Sequence, residues 1–314
     1  MNYRNQGIYL CREAVGIQKT NLETIKLYIA TMLEEGSVDV AKTLLESTIT
    51  ENNADENDTS HLLDFYALSV LVGKKINNKA LMRKSLAQAV QAYSYAGSLE
   101  DVGLPRRTAC AIMLQLGEFL IRYNLSQTAK WALEVYEDSE KAALAKAKER
   151  NFQPYTPVTL KVRLVSSHAL IALVEGNVEQ ALRLGESAVE IDKHSGTAWL
   201  TLGNILYSSG NPDDRLGACN AYKMCILACD KSGEGISAQT FLRLASLYLT
   251  FNKPTEAKKI ALRSCSEYKY PSTWLNVGIA AYRLNEIEEA EEALQEANTL
   301  DNSNPLIWGY LHEP

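Results

Sequence analysis

The chain has 314 residues, 46% hydrophobic and 22% charged, with a net charge of −6. This is a core-forming composition with length for about two domains of ~150 residues, and eight prolines and 17 glycines are too few for a loop-rich all-β or collagen-like chain. The acidic balance argues against general nucleic-acid binding, which needs a basic footprint, and no apolar run is longer than that at 109–114, far short of the ~18 residues that cross a bilayer.

The opening residues MNYRNQGIYLCREA have no basic stretch followed by an apolar one, so no signal peptide is expected. Ile25, Ile29 and Met32 step by four and three residues, with Ala41 further on, a helical pattern followed by a small residue on a second helix. The polar run 51–59 predicts a solvated loop, and Thr59 or Ser60 can cap the next helix. Apolar residues at helical steps predict a helix pair over 60–72 and 79–96. Met113, Leu116, Gly117 and Ala129 predict another pair, with Trp131 on its second helix. That helix is expected to run on through 140–150 and to stop at 151–157, where Pro154 and Pro157 cannot continue it. The expected division is 1–150, divergent helical repeats with one extended helix, and 151–314, regular repeats.

The second half repeats itself. Val165, Trp199, Phe241, Trp274 and Trp308 open successive units at spacings of 34, 42, 33 and 34. A small residue follows four later at Ala169, Gly203, Ala245 and Gly278. Ala181, Ala257 and Ala290 follow sixteen after their openers, with Ala218 displaced by about three. Ala188, Ser264 and Ala297 come seven later again. Small residues let two helices of a hairpin approach, while large neighbours fill the space beside them. The 42-residue unit carries two insertions, a turn at 211–214 and a polar stretch at 230–235 that breaks helix with two glycines.

Three spacings match the 34-residue tetratricopeptide (TPR) period, and Trp199-x2-Leu202-Gly203 is its literal signature, with Trp274-x2-Val277-Gly278 close to it. The sequence therefore resembles the TPR family, most strongly over 162–311. The resemblance implies an all-α, right-handed α-solenoid of about seven TPR-like helix pairs, sharing one continuous core. Its signature positions are Trp199, Leu202, Gly203, Ala245, Ala257, Trp274, Gly278, Ala290, Ala297 and Trp308. The first helix of each pair lines a concave face in that family. Residues expected there are Arg163, Ser167, Asn204, Tyr207, Arg243, Asn276, Tyr282 and Arg283. Arg and Tyr most often carry binding energy, and such a groove suits an extended or helical peptide, acidic by preference. The plainer alternative is that these are solvated side chains on an exposed helix face. The two-carboxylate clamp of chaperone-binding TPR proteins is not expected, because only Asn204 agrees with its pattern.

Other chemistry is sparse. The histidines at 61, 168, 194 and 312 stand at no metal-ligand spacing, and His168 reads as a packed, hydrogen-bonded residue. The six cysteines include no CxxC pair; Cys225 and Cys229 with Cys219 read as small buried hydrophobes, because further zinc ligands are missing. There is no phosphate-binding glycine loop and no nucleophile elbow, so no enzyme, metal or cofactor is expected. Glu286, Glu288, Glu289, Glu291, Glu292 and Glu296 read as a solvated face, and Lys141, Lys146, Lys148 and Arg150 as its basic counterpart.

The segment 271–311, with Trp274 to Arg283, Glu288 to Trp308 and the Asn302-Ser303-Asn304 turn, resembles the TPR region of the cilia- and flagella-associated protein 70 family. That resemblance implies an axonemal component of motile cilia, docking dynein-arm or central-apparatus proteins and supporting cilium assembly and dynein-driven beating, in the cytoplasm and cytoskeleton. It implies protein partners, without nucleic acid, membrane insertion or a small-molecule substrate. The alternative is a TPR subunit of a cytosolic complex serving intraciliary trafficking, a ubiquitin ligase or an enzyme. The family also carries a β-rich N-terminal region not seen in this sequence, and Trp308 opens a repeat just before Pro314, so a fragment or short form truncated at its C-terminus is expected.

Overall fold

The computed structural model describes residues 3–17, 21–52, 62–95, 105–149 and 156–312. Every regular element among them is an α-helix. The chain forms two compact units, Met1–Asn177 and Val178–Pro314. The first holds α1 (Tyr3–Ile17), α2 (Leu22–Glu35), α3 (Val38–Asn52), α4 (Leu63–Lys75), α5 (Lys79–Tyr95), α6 (Pro105–Arg122), α7 (Ser126–Glu149) and α8 (Val158–Val174). The second holds α9 (Val178–Ile191), α10 (Gly196–Ser208), α11 (Asp214–Ser232), α12 (Ala238–Thr250), α13 (Pro254–Glu267), α14 (Pro271–Arg283), α15 (Ile287–Leu300) and α16 (Pro305–His312). Taken in sequence, α2/α3 to α14/α15 make the seven pairs of an all-α, solenoid-class fold.

Seven first helices end in the same way. The residue eleven after each opener is Gly or Asn with positive φ: Gly36, Asn77, Asn124, Gly176, Gly210, Asn252 and Asn285. This frame assigns α4 the opener Tyr66. Gly and Asn tolerate the left-handed conformation that closes a helix. In six of the seven turns the following N–H reaches back five residues to a helix carbonyl, as in Ser37 N to Met32 O (2.9 Å), Lys253 N to Tyr248 O (2.8 Å) and Glu286 N to Ala281 O (3.0 Å). The turn at Gly210 departs from this; there the inserted Asn211 and Asp213 N–H groups bond to the Ser209 hydroxyl and the Asn211 side chain.

The close crossings occur where the small residues predict them. A Cβ on Gly117 would lie 2.8 Å from Leu133 Cδ2, one on Gly203 2.9 Å from Tyr222 Cε1, and one on Gly278 2.6 Å from Leu294 Cγ. Ala245, Ala257, Ala290 and Ala297 are buried with them. In α4/α5 the position four after the opener is the buried Val70, and beside it the Ser69 and Ser85 hydroxyls bond at 2.8 Å.

The polar stretch 230–235 ends α11 at the first of its two glycines: the helix continues through Asp230, Lys231 and Ser232, and Gly233 closes it in the left-handed region. α7 runs 24 residues to Glu149, as expected of the extended helix. The two units divide between Asn177 and Val178. The expectations for 53–61, Ala96, Arg150 and 151–155, and the side chains of Cys110 and His312, lie outside the described residues.

The units are built differently. In the first, α2 meets α4 and α7 as well as its chain neighbours, and α4 meets α6 and α7. One hydrophobic cluster runs from Ile25 on α2 to Ile171 on α8. Lys26, nearly buried, donates to Asp64 at 2.6 Å and Glu23 at 2.8 Å and lies over the Phe119 ring. Glu34 at the end of α2 accepts from Gln127 N (3.0 Å), Thr128 N (2.6 Å) and the Thr128 hydroxyl (2.7 Å). It places a carboxylate on the α7 N-terminus, where the helix dipole and unpaired N–H groups favour one. In the second unit each helix meets its chain neighbours, and α12 also meets α14.

Candidate protein-binding face

The face is organised around Arg243. α10 presents Asn204 and Tyr207, three residues apart on one side of the helix. α12 presents Arg243. From below, α11 contributes Tyr222, fully buried against the bare backbone of Gly203. Burial pushes the Tyr222 hydroxyl up to about 12 against the opposing pull of Arg243, so it keeps its proton. That hydroxyl donates to Asn204 Oδ1 at 2.9 Å. Arg243 Nη1 donates to the same Oδ1 at 2.6 Å and to Tyr222 Oη at 3.2 Å. The guanidinium stacks over Tyr207 at 5.0 Å, and Tyr207 packs edge-on to Tyr222. One nitrogen of Arg243 is thus fixed, while Nε and Nη2 make no hydrogen bond among the described residues. A guanidinium held this way suits a carboxylate, which it can meet with two parallel N–H groups.

The remaining expected residues divide. Tyr282 is half-buried and packs edge-on against Tyr310, with centroids 5.9 Å apart. Arg283 Nη1 donates to Leu249 O, near the C-terminus of α12, where the dipole favours a cation. Arg163 makes a two-pronged ion pair with Glu118, 2.8 Å at Nε and 2.7 Å at Nη2. Ser167 and Asn276 correct the expectation of an exposed face: they are only 2% and 9% exposed and pack inside their units. His168, expected to be packed and hydrogen-bonded, is half-buried, with Nε2 2.7 Å from Glu137 Oε1. Tyr222 was missed by sequence reasoning. Its signal was Gly203, whose missing side chain makes room for a ring.

The cysteines behave as small hydrophobes. Burial pushes the Cys225 thiol up to about 12, and burial also raises Cys219 and Cys229; thiols so held are inert nucleophiles. Among the described residues no group of three or more His, Cys, Asp or Glu is placed to hold a metal ion. No described helix is long and apolar enough to cross a membrane.

A family model described as "Cilia and flagella-associated protein 70 C-terminal domain" matches residues 139–312. The chain belongs to this family. The match runs from within α7 to α16 and so includes the whole Arg243 cluster. Human cilia- and flagella-associated protein 70 is 34% identical over 139 residues, 44% of this chain and 12% of that protein. The Macaca fascicularis protein of the same name is 48% identical over 71 residues, 23% of this chain and 7% of its own. The chain therefore matches only a small share of these relatives. The anaphase-promoting complex heterotetramer Cut9–Hcn1 superposes with a TM-score of 0.50 at 11% identity, covering 98% of this chain and 52% of that one. This likeness concerns fold alone.

Proposed function

We propose that the chain is a non-catalytic TPR scaffold of the motile-cilium axoneme, and that the Arg243 face holds an extended, acidic segment of an axonemal partner. In this reading the chain supports cilium assembly and dynein-driven beating by docking dynein-arm or central-apparatus proteins. Family membership supports the ciliary setting. The single observation that carries the binding mode is the guanidinium of Arg243, fixed by Asn204, Tyr222 and Tyr207 with two nitrogens uncommitted. A partner carboxylate on Nε and Nη2 would gain two charge-assisted hydrogen bonds without first ordering a mobile side chain.

Proximity labelling in multiciliated and non-ciliated cells tests both parts. The tagged chain is expected to label dynein-arm or central-apparatus proteins in the ciliated cells. Arg243→Glu is expected to lose most of that labelling with an unchanged helical circular-dichroism spectrum. Equal labelling of soluble complexes in both cell types would favour the cytosolic-complex alternative. Ciliary labelling that survives Arg243→Glu would remove the face and keep the setting.

A further inference from the structure

A second surface lies on the other helices of the C-terminal unit. α13, α14 and α15 enclose a groove of 830 Å³. Its apolar floor includes Leu262 and Leu300, both more than 40% exposed, and the half-buried Trp274. Single exposed apolar residues need no explanation, but three lining one groove do.

Trp274 also differs from its counterparts. The indole N–H of Trp199 bonds to Lys193 O at 2.8 Å, and that of Trp308 to Asn302 O at 2.9 Å. Each reaches a carbonyl six residues back. The unit ending at Trp274 has the shortest spacing, 33 residues, and its linker is occupied by the stacked pair Tyr268 and Tyr270. The Trp274 N–H finds no partner among the described residues, leaving a donor at the groove floor.

The rim is acidic. Glu289, Glu292 and Glu296 line it against one cation, Lys269. Glu289 is already bound by Lys258. Among the described residues Glu292 and Glu296 make no ion pair, and α15 carries no Lys or Arg at all. The α15 dipole accounts for Glu288 and Glu289 in the first turn but not for Glu296 near the end. Glu288, Glu292 and Glu296 follow one another at four-residue steps, an arrangement that repels along a helix. A cationic partner relieves that repulsion.

We propose that the α13–α15 groove docks a basic amphipathic helix of another protein. Its apolar stripe would lie over Leu262, Trp274 and Leu300, and its flanking Lys or Arg residues would meet Glu292 and Glu296. This is the helix-in-groove mode with complementary charge at the edge. It is independent of the Arg243 face, which lies on other helices and favours the opposite charge.

The probes are two synthetic helices of about 18 residues, five turns, with the same leucine stripe and either lysine or glutamate flanks. Binding to the full chain is followed by fluorescence anisotropy. The lysine helix is expected to bind at least about tenfold more tightly than the glutamate helix. Glu292→Lys with Glu296→Lys should weaken the lysine helix by about tenfold or more, and Leu262→Asp should do the same. Glu256→Lys with Glu291→Lys, equal in net charge but outside both the groove lining and the Glu288–Glu292–Glu296 stripe, should leave it within about twofold. Equal binding of the two helices overturns the proposal, and so does equal weakening by the two charge variants, which would make the effect one of net charge. Self-association in sedimentation velocity that Glu292→Lys with Glu296→Lys dissolves would assign the groove to a second copy of the chain instead.

Discussion

The two units use the same hairpin with different wiring. In Val178–Pro314 every substantial helix contact among the described residues joins chain neighbours or next neighbours, and the apolar core falls into separate clusters around α11–α14, α12–α15 and α14–α16. In Met1–Asn177 α2 reaches α7, some ninety residues on, and one cluster spans the unit. Stability in the first arrangement is a sum of pair and neighbour terms. In the second, several helices share contacts that none can make alone. Each pair of the C-terminal unit sees nearly the same surroundings, so the same residue types recur. In the N-terminal unit each helix meets its own partners, and the repeat signature erodes.

Overpacking at one crossing disturbs the C-terminal unit most. Gly203→Leu drives a side chain into the Tyr222 ring, where even a Cβ lies at 2.9 Å, and is expected to cost about 3 kcal/mol. Hydrogen exchange should show the loss centred on α10 and α11 and fading through α9 and α12. Uniform loss over the whole C-terminal unit would contradict neighbour-only coupling.

Lys26→Ala tests the shared core of the other unit. It removes a cation bonded to Asp64 and Glu23 and stacked on Phe119. The expected cost is about 2 kcal/mol, below that of a fully buried pair because both carboxylates retain some solvent. Protection should fall together in α2, α4 and α6. Burial pulls the Lys26 pKa down, but Asp64 and Glu23 outweigh it and the net shift is upward from 10.5. A raised pKa stabilises the fold fully below the unfolded value, and the gain is lost as pH rises through the folded value. The stability difference between wild type and Lys26→Ala should therefore be constant from neutral pH up to about 10.5 and shrink above it in denaturant titrations.

Glu34→Gln is the smallest of the three. It keeps the shape but weakens the carboxylate cap on Gln127 and Thr128, at about 1 kcal/mol. The first turn of α7 should exchange faster. Unchanged exchange there would mean that the α2–α7 contact rests on apolar packing alone.

What was legible in the sequence follows from this contrast. The period of 33 to 42 residues, the glycines at 117, 203 and 278 and the long α7 could be read because each reflects a local demand of the hairpin. The Gly or Asn eleven after each opener was equally local and went unread, although it alone sets the frame of α4, where Val70 stands at the position that is small in the later repeats. Lys26 could not be read as a core cation, because its partner Asp64 lies 38 residues away. The Arg243 face was half legible: helical spacing grouped Asn204, Tyr207 and Arg243, but nothing local showed that Tyr222 would hold them or that Ser167 and Asn276 would be buried.

Native-state hydrogen exchange on the full chain at rising denaturant tests the central contrast most directly, because it resolves the free energy at which each helix opens. The expected result is that α2, α4, α6 and α7 merge into one common opening, while α9 to α15 open at graded free energies from pair to pair. Pair-by-pair opening of α2 to α7, or a single merged opening of α9 to α15, would contradict it.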